Sequence, residues 1–272
     1  MTRPIGIDIS KYQVSFDPAK ATKSIDFIIQ RTSWAMHEDE KYWEMLPNVK
    51  KIHRRGAYHY FSTGVPWKAQ ADFFLSLQDG QGFTALVVDY EGGYNNLNEN
   101  SANDLERMLR YLRERRPSKN IIAYFNPSTY RDLIQPFVNI KDFPAWVARY
   151  YLIPLSQTRT DIYFKGTDRK DWGLWQYTSK GKAREYGTSL TNTVDLNVFP
   201  GTMEELDTFF RKDVTQVPDP PPPVDDCQEY KDAVEKLATH NDELIVKNAQ
   251  LLKENVAYDN ALDDIANIVD SV

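Results

Sequence analysis

A chain of 272 residues with 41% hydrophobic residues can bury one large core and still carry an appendage. Its formal net charge of −6 excludes a partner held by its phosphate backbone, because affinity for nucleic acid rests on Lys and Arg. A single cysteine, Cys227, excludes an intramolecular disulfide and a cysteine-based zinc site, and His37, His53, His59 and His240 have no ligand spacing, so neither metal nor cofactor is expected.

The chain opens MTRPIGIDIS, a strand-like run without the charged region and apolar stretch of a secretory signal. No apolar run approaches the ~18–20 residues that span a bilayer, so membrane insertion is not expected. The expectation is a protein made in the cytoplasm that relies on another agent for release. Within 1–213, short apolar runs alternate with helical patterns, as in βα units around a largely parallel sheet. Strands are predicted at 4–10 (PIGIDIS) and 26–32 (DFIIQRT), then a helix near 41–54. A strand at 56–61 (GAYHYF) and a helix near 66–78 follow, then the most apolar strand, ALVVDYE at 85–91. A helix near 101–116, a strand at 120–125 (NIIAYF) and a helix near 127–135 come next; Pro66, Ser101 and Pro127 suit first turns or caps. Strands at 144–150, 173–178 and 193–199 and a helix near 202–212 complete the region, with 151–171 left as a long loop. Eight strands with fewer helices imply an irregular (β/α) TIM-like barrel of the α/β class.

The segment VTQVPDPPPPVDD (214–226) reads as a linker, since consecutive prolines form an extended, semi-rigid spacer. Residues 227–272 keep a seven-residue repeat. Cys227, Val234, Asn241, Asn248, Asn255, Leu262 and Val269 form the a series, and Tyr230, Leu237, Leu244, Leu251, Tyr258, Ile265 and Val272 the d series. This predicts a coiled-coil helix that makes a homo-oligomer, with a parallel dimer favoured by the Asn positions. Ile245 and Leu252 widen the apolar face and keep a trimer open.

Four carboxylates stand out by position. Asp8 follows a strand start, Asp89 and Glu91 end the apolar strand, and Asp195 lies in TVDLNVF. In a parallel barrel the C-terminal strand ends share one rim. Strand side chains alternate, so Asp89 and Glu91 share a face while Tyr90 points away, with their α-carbons roughly 6.5–7 Å apart. Paired carboxylates repel, which keeps one protonated near neutral pH. Glycoside hydrolysis needs such a pair: an acid for the leaving oxygen and an anion for the positive charge at the anomeric carbon. The competing reading is a solvated strand end that caps a helix or pairs with a surface cation.

The order of motifs decides between these. GIDIS-x-YQ (6–13), GAYHYF (56–61), VDYEG (88–92), AYFNP (123–127), AWVARYY (145–151), LWQYTSKG (174–181) and VDLNVF (194–199) resemble, in sequence, those of family 25 glycoside hydrolases, the Chalaropsis-type lysozymes of phage endolysins and bacterial autolysins. The resemblance implies a muramidase acting on the β-1,4 bond between N-acetylmuramic acid and N-acetylglucosamine of bacterial peptidoglycan. It implies Glu91 as general acid and Asp89 as the residue that orients the N-acetyl group or stabilises the cation. Asp8 and Asp195 match the outer carboxylates, and Tyr58, Tyr124, Tyr150, Trp175 and Gln176 match groove residues. Tyr58 and Trp175 suit a barrel core equally well. Stereochemistry stays open: a spacing near 7 Å falls in the inverting range, whereas attack by the muramic N-acetyl group gives retention, the outcome favoured here. The chain departs from the family at QRTSWAMHEDE (30–40), where K-A-T-E-G is usual, and Trp34 and His37 stand there instead. A glycan-binding barrel that turns over poorly, carried on a phage particle or cell surface, is the alternative to an enzyme.

Overall fold

The computed structural model describes residues 3–210 apart from 22, 24, 94, 151–171 and 190–192. The chain divides into two units, Met1–Pro222 and Pro223–Val272, and every described residue belongs to the first. The predicted loop over 151–171, the linker over 214–226 and the coiled coil over 227–272 lie outside the described residues.

In chain order the elements are β1 (Ile5–Ile9), β2 (Ser15–Phe16), β3 (Phe27–Trp34), β4 (His37–Glu38), α1 (Tyr42–Val49), β5 (Arg54–Tyr60), α2 (Trp67–Gln78) and β6 (Ala85–Asp89). Then come α3 (Glu99–Arg115), β7 (Asn120–Phe125), α4 (Pro127–Thr129), β8 (Ala145–Ala148), β9 (Leu174–Lys182), β10 (Thr188–Ser189), β11 (Thr193–Val198) and α5 (Met203–Phe209). Each of the eight predicted strands forms, and together they close into a barrel in the order β1-β3-β5-β6-β7-β8-β9-β11. Six of the eight pairings are parallel; the two made by β11 are antiparallel.

Period-two alternation sorts the strands into two apolar layers. Phe27, Ile29, Val87, Ile122 and Leu174 fill the barrel interior. Ile28, Leu86, Val88, Ile121 and Ala123 face outward, packed against Phe74 and Leu75 of α2 and Leu105, Met108 and Leu109 of α3. Gly6 is required on the inside, because a Cβ there would sit 2.3 Å from the Phe27 ring. The base is plugged by α5: Phe210 meets Phe27 at 5.6 Å between ring centroids, and Phe209 meets Phe199 at 5.3 Å. Asp207 pairs with Arg54 at 2.7 Å.

Two helix boundaries differ from expectation. Ser101 does lie in the first turn of α3, at its third position, but it is not the N-cap. Asn98 is, its side chain accepting from Ser101 N at 3.2 Å while Ser101 Oγ accepts from Asn98 N at 2.8 Å, a capping box that starts the helix two residues earlier. The helix predicted near 41–54 ends at Val49, since Arg54 already belongs to β5 and pairs with Phe27.

Candidate active site

Asp8 lies on β1 directly opposite Asp195 on β11, a pairing that brings Cβ atoms to about 4.5–5.5 Å. Asp89 is the last residue of β6, beside Tyr60 and Tyr124, and Glu91 follows two residues on. Tyr90 turns to the other face, buried against α3 with its hydroxyl 2.7 Å from Ser101 Oγ. Asp8, Asp89, Glu91 and Asp195 all line one cavity of about 750 Å³, together with Tyr58, Tyr124 and Gln176. That volume is in the range of small-ligand sites.

The four carboxyls meet for two different reasons. Asp8, Asp89 and Glu91 sit at C-terminal strand ends, as expected of a barrel. Asp195 is the third residue of β11, near its N-terminal end, and reaches the same rim because β11 runs antiparallel.

Beneath them lies a hydrogen-bonded layer. Gln176 Nε2 and Asn197 Nδ2 both donate to Asp8 Oδ1, at 3.0 and 2.7 Å. Gln176 Oε1 accepts from the hydroxyls of Tyr124 at 3.0 Å and Tyr150 at 2.6 Å, and Asn197 Oδ1 accepts from Trp146 Nε1 at 2.8 Å. Register shifts between β9 and β11 set Gln176 opposite Asn197, so both point inward; re-aiming side chains is what a bulge does.

Burial is the main influence on the acids, because a carboxylate loses its hydration there. It pushes Asp89 well above the usual carboxylate range, helped by the charge of Glu91 and opposed by Arg31. Glu91 is raised by burial and then by Asp8, again opposed by Arg31. Asp195 rises to about 8 through burial and the neighbouring Asp8. Asp8 is also raised by burial, against the pull of the Asn197 and Gln176 amides. Among the described residues, the buried Asp89 Oδ1 has no hydrogen-bond partner.

Arg31, Trp146 and Asn197 belong to the site although the sequence reading assigned them no role. Arg31 alternates with Ile29 on β3 and so faces inward, where its Nε donates to the buried Asp39 Oδ2 at 2.7 Å. Period-two counting from Asp195 would have found Asn197. Trp146 lies within the motif AWVARYY and needed only the right face. Trp175, by contrast, does not line the groove. It neighbours the inward Gln176, so it must face out; it is buried in the outer core with its Nε1 donating to Arg149 O at 2.8 Å. Tyr150 is half-exposed and reaches the site through Gln176. Trp34 lines the cavity and packs at a tilt against His37, 4.5 Å between centroids, so the segment that departs from the family pattern borders the site.

A family model, glycosyl hydrolases family 25, matches residues 7–186, which is most of the barrel and includes Asp8, Asp89, Glu91 and Gln176. The chain belongs to glycoside hydrolase family 25. It is therefore a glycoside hydrolase. Asp195 and Asn197 lie beyond the matched span and join this family 25 site through the β1–β11 pairing. The uncharacterized protein YegX of Escherichia coli is 32% identical over 218 residues, 75% of this chain and 72% of that one. The structure of a family 25 glycosyl hydrolase from Bacillus anthracis aligns with a TM-score of 0.62 at 25% identity, covering 76% of this chain and 94% of that one. A muramidase from Acremonium alcalophilum shares the fold, with a TM-score of 0.58 at 21% identity over 78% of this chain and all of that one (100%).

Proposed function

We propose that this family 25 enzyme is a muramidase, cleaving the β-1,4 bond between N-acetylmuramic acid and N-acetylglucosamine in bacterial peptidoglycan. The observation that carries the reading is the meeting of Asp8, Asp89, Glu91 and Asp195 in one cavity of a family 25 barrel. Glu91 is the general acid: burial keeps its proton on at pH values where a free glutamate has lost it, and it gives that proton to the leaving oxygen. The Asp89 carboxyl, which lines the cavity, accepts the N–H of the muramic acetamido group and so directs the acetyl oxygen at the anomeric carbon. That oxygen forms a bond to the anomeric carbon as the glycosidic bond breaks. Water then attacks the same carbon, its proton passing to the Glu91 carboxylate, and the configuration is retained.

Mass spectrometry of digested peptidoglycan tests the bond. Reducing-end muramic acid is expected, and reducing-end glucosamine overturns the assignment. Glu91→Gln is expected to lower wall-clearing activity at least about a hundredfold, the usual worth of a general acid. Walls left intact by the wild type would leave a glycan-binding protein in place of an enzyme.

The biological role we assign is that of a phage endolysin. In that role it would reach the wall through a pore made by another protein, and lysis on expression is expected only when such a pore is supplied. The heptad repeat over 227–272 supports a homodimer.

A further inference from the structure

Asp8 and Asp195 stand opposite each other on β1 and β11, and both line the cavity, so their carboxyls face it side by side. Two carboxyls set this close hold one proton between them. The donors around them decide which one keeps it.

Trp146 supplies the fixed point, because an indole N–H donates and never accepts. It donates to Asn197 Oδ1 at 2.8 Å, so the Asn197 amide has one orientation, with Nδ2 turned to Asp8 Oδ1 at 2.7 Å. The Gln176 amide is turned in the same sense, its oxygen occupied by two tyrosine hydroxyls and its Nε2 donating to Asp8 Oδ1 at 3.0 Å. Asp8 thus takes two N–H donors on one oxygen, which favours its anion. No amide among the described residues donates to Asp195. Asp89 at the end of β6, Glu91 beyond it, Arg31 of β3 and the phenols of Tyr58, Tyr124 and Tyr150 surround the pair. The two carboxyls among them disfavour a second negative charge, and none of these groups donates to Asp8 Oδ1.

We infer that Asn197 is a positioning residue: oriented by Trp146, it places the shared proton on Asp195, which meets the substrate as a neutral hydrogen-bond donor beside an anionic Asp8. The role towards substrate rests on the muramidase reading; the proton's placement is a property of the free protein.

Carbon-13 NMR of the full-length chain, labelled at the aspartate carboxyls and titrated from about pH 3 to 9, tests it across the range where carboxyls titrate. Asp8→Asn and Asp195→Asn assign the two signals. Asp8 is expected to ionise first in the wild type. In Asn197→Leu its transition moves up by roughly one pH unit, the effect of losing one donor to a carboxylate, while that of Asp195 moves down. Trp146→Phe, which frees the Asn197 amide to turn, shifts both in the same directions. The inference is overturned if Asp195 ionises first in the wild type, or if neither folded variant moves either transition. Should Asn197→Leu not fold, the wild-type order and Trp146→Phe decide. No step of the titration uses substrate, so a protein that leaves walls intact would remove the muramidase reading without touching this result.

Discussion

Asp195 shows what it costs to keep acids inside a barrel. A carboxyl whose pKa is higher in the folded state binds its proton more tightly there, so native stability falls as pH rises from the unfolded value to the folded one. For Asp195 that window runs from 3.8 to about 8. Asp195→Asn keeps a donor for Asp8 and removes the titration. We expect it to raise the thermal midpoint at pH 8 by roughly 2–8 °C, the size of 1–2 kcal/mol in a domain of this length. Scanning calorimetry at a series of pH values should show the gain vanish towards pH 4, and a gain independent of pH would contradict this origin. Glu91 is also raised, so the alkaline limb of the activity profile is expected above pH 4.5, the ordinary glutamate value. Trp175 belongs to the packing and not to the groove. Trp175→Phe is therefore expected to cost about 1–3 kcal/mol in denaturant unfolding with KM unchanged; a rise in KM at unchanged stability would return it to the groove.

At the scale of elements, the turn from Ser10 to Gln13 enters the rim of the cavity and is closed by Ser10 N donating to Gln13 Oε1 at 2.9 Å. It ends at Val14, whose φ of 59° is unusual for a β-branched residue. Val14→Gly is expected to stabilise the domain by roughly 1 kcal/mol, since such strain costs about 1–3 kcal/mol and glycine gives back part of it in entropy. KM should rise as the turn loosens, with kcat unchanged; a less stable variant would show that Val14 is not strained. The eight strands were legible as short apolar runs, and the Asp89–Glu91 pair through period-two alternation, because both are written directly in residue types. Strand direction is not. Nothing in TVDLNVF says that β11 runs backwards, so Asp195 was placed at the correct rim by an argument that holds only for parallel strands. Faces within aromatic-rich strands were equally hidden: LWQY and AWVA each offer a tryptophan, and only the register sends Trp146 inward and Trp175 outward. The bulged pairing that sets Asn197 beside Gln176 leaves no mark in composition.

For the molecule as a whole, two catalytic domains joined through 227–272 would bind a polymeric wall with an avidity that neither has alone. Sedimentation of the full chain at micromolar concentration is expected to give a dimer, and a monomer there removes that proposal. The reversed last strand has a consequence of its own. Ile5 lies opposite Val198, Phe199 N donates to Pro4 O at 3.0 Å, and α5 crosses the base. Both ends of the barrel thus emerge on the side away from the acids. A tool that must press its open end flat against a sheet of polymer is best gripped from behind, and α5 offers a surface on that side. Anchoring the barrel to a solid support through the exposed face of α5 should therefore leave the mouth of its cavity unobstructed.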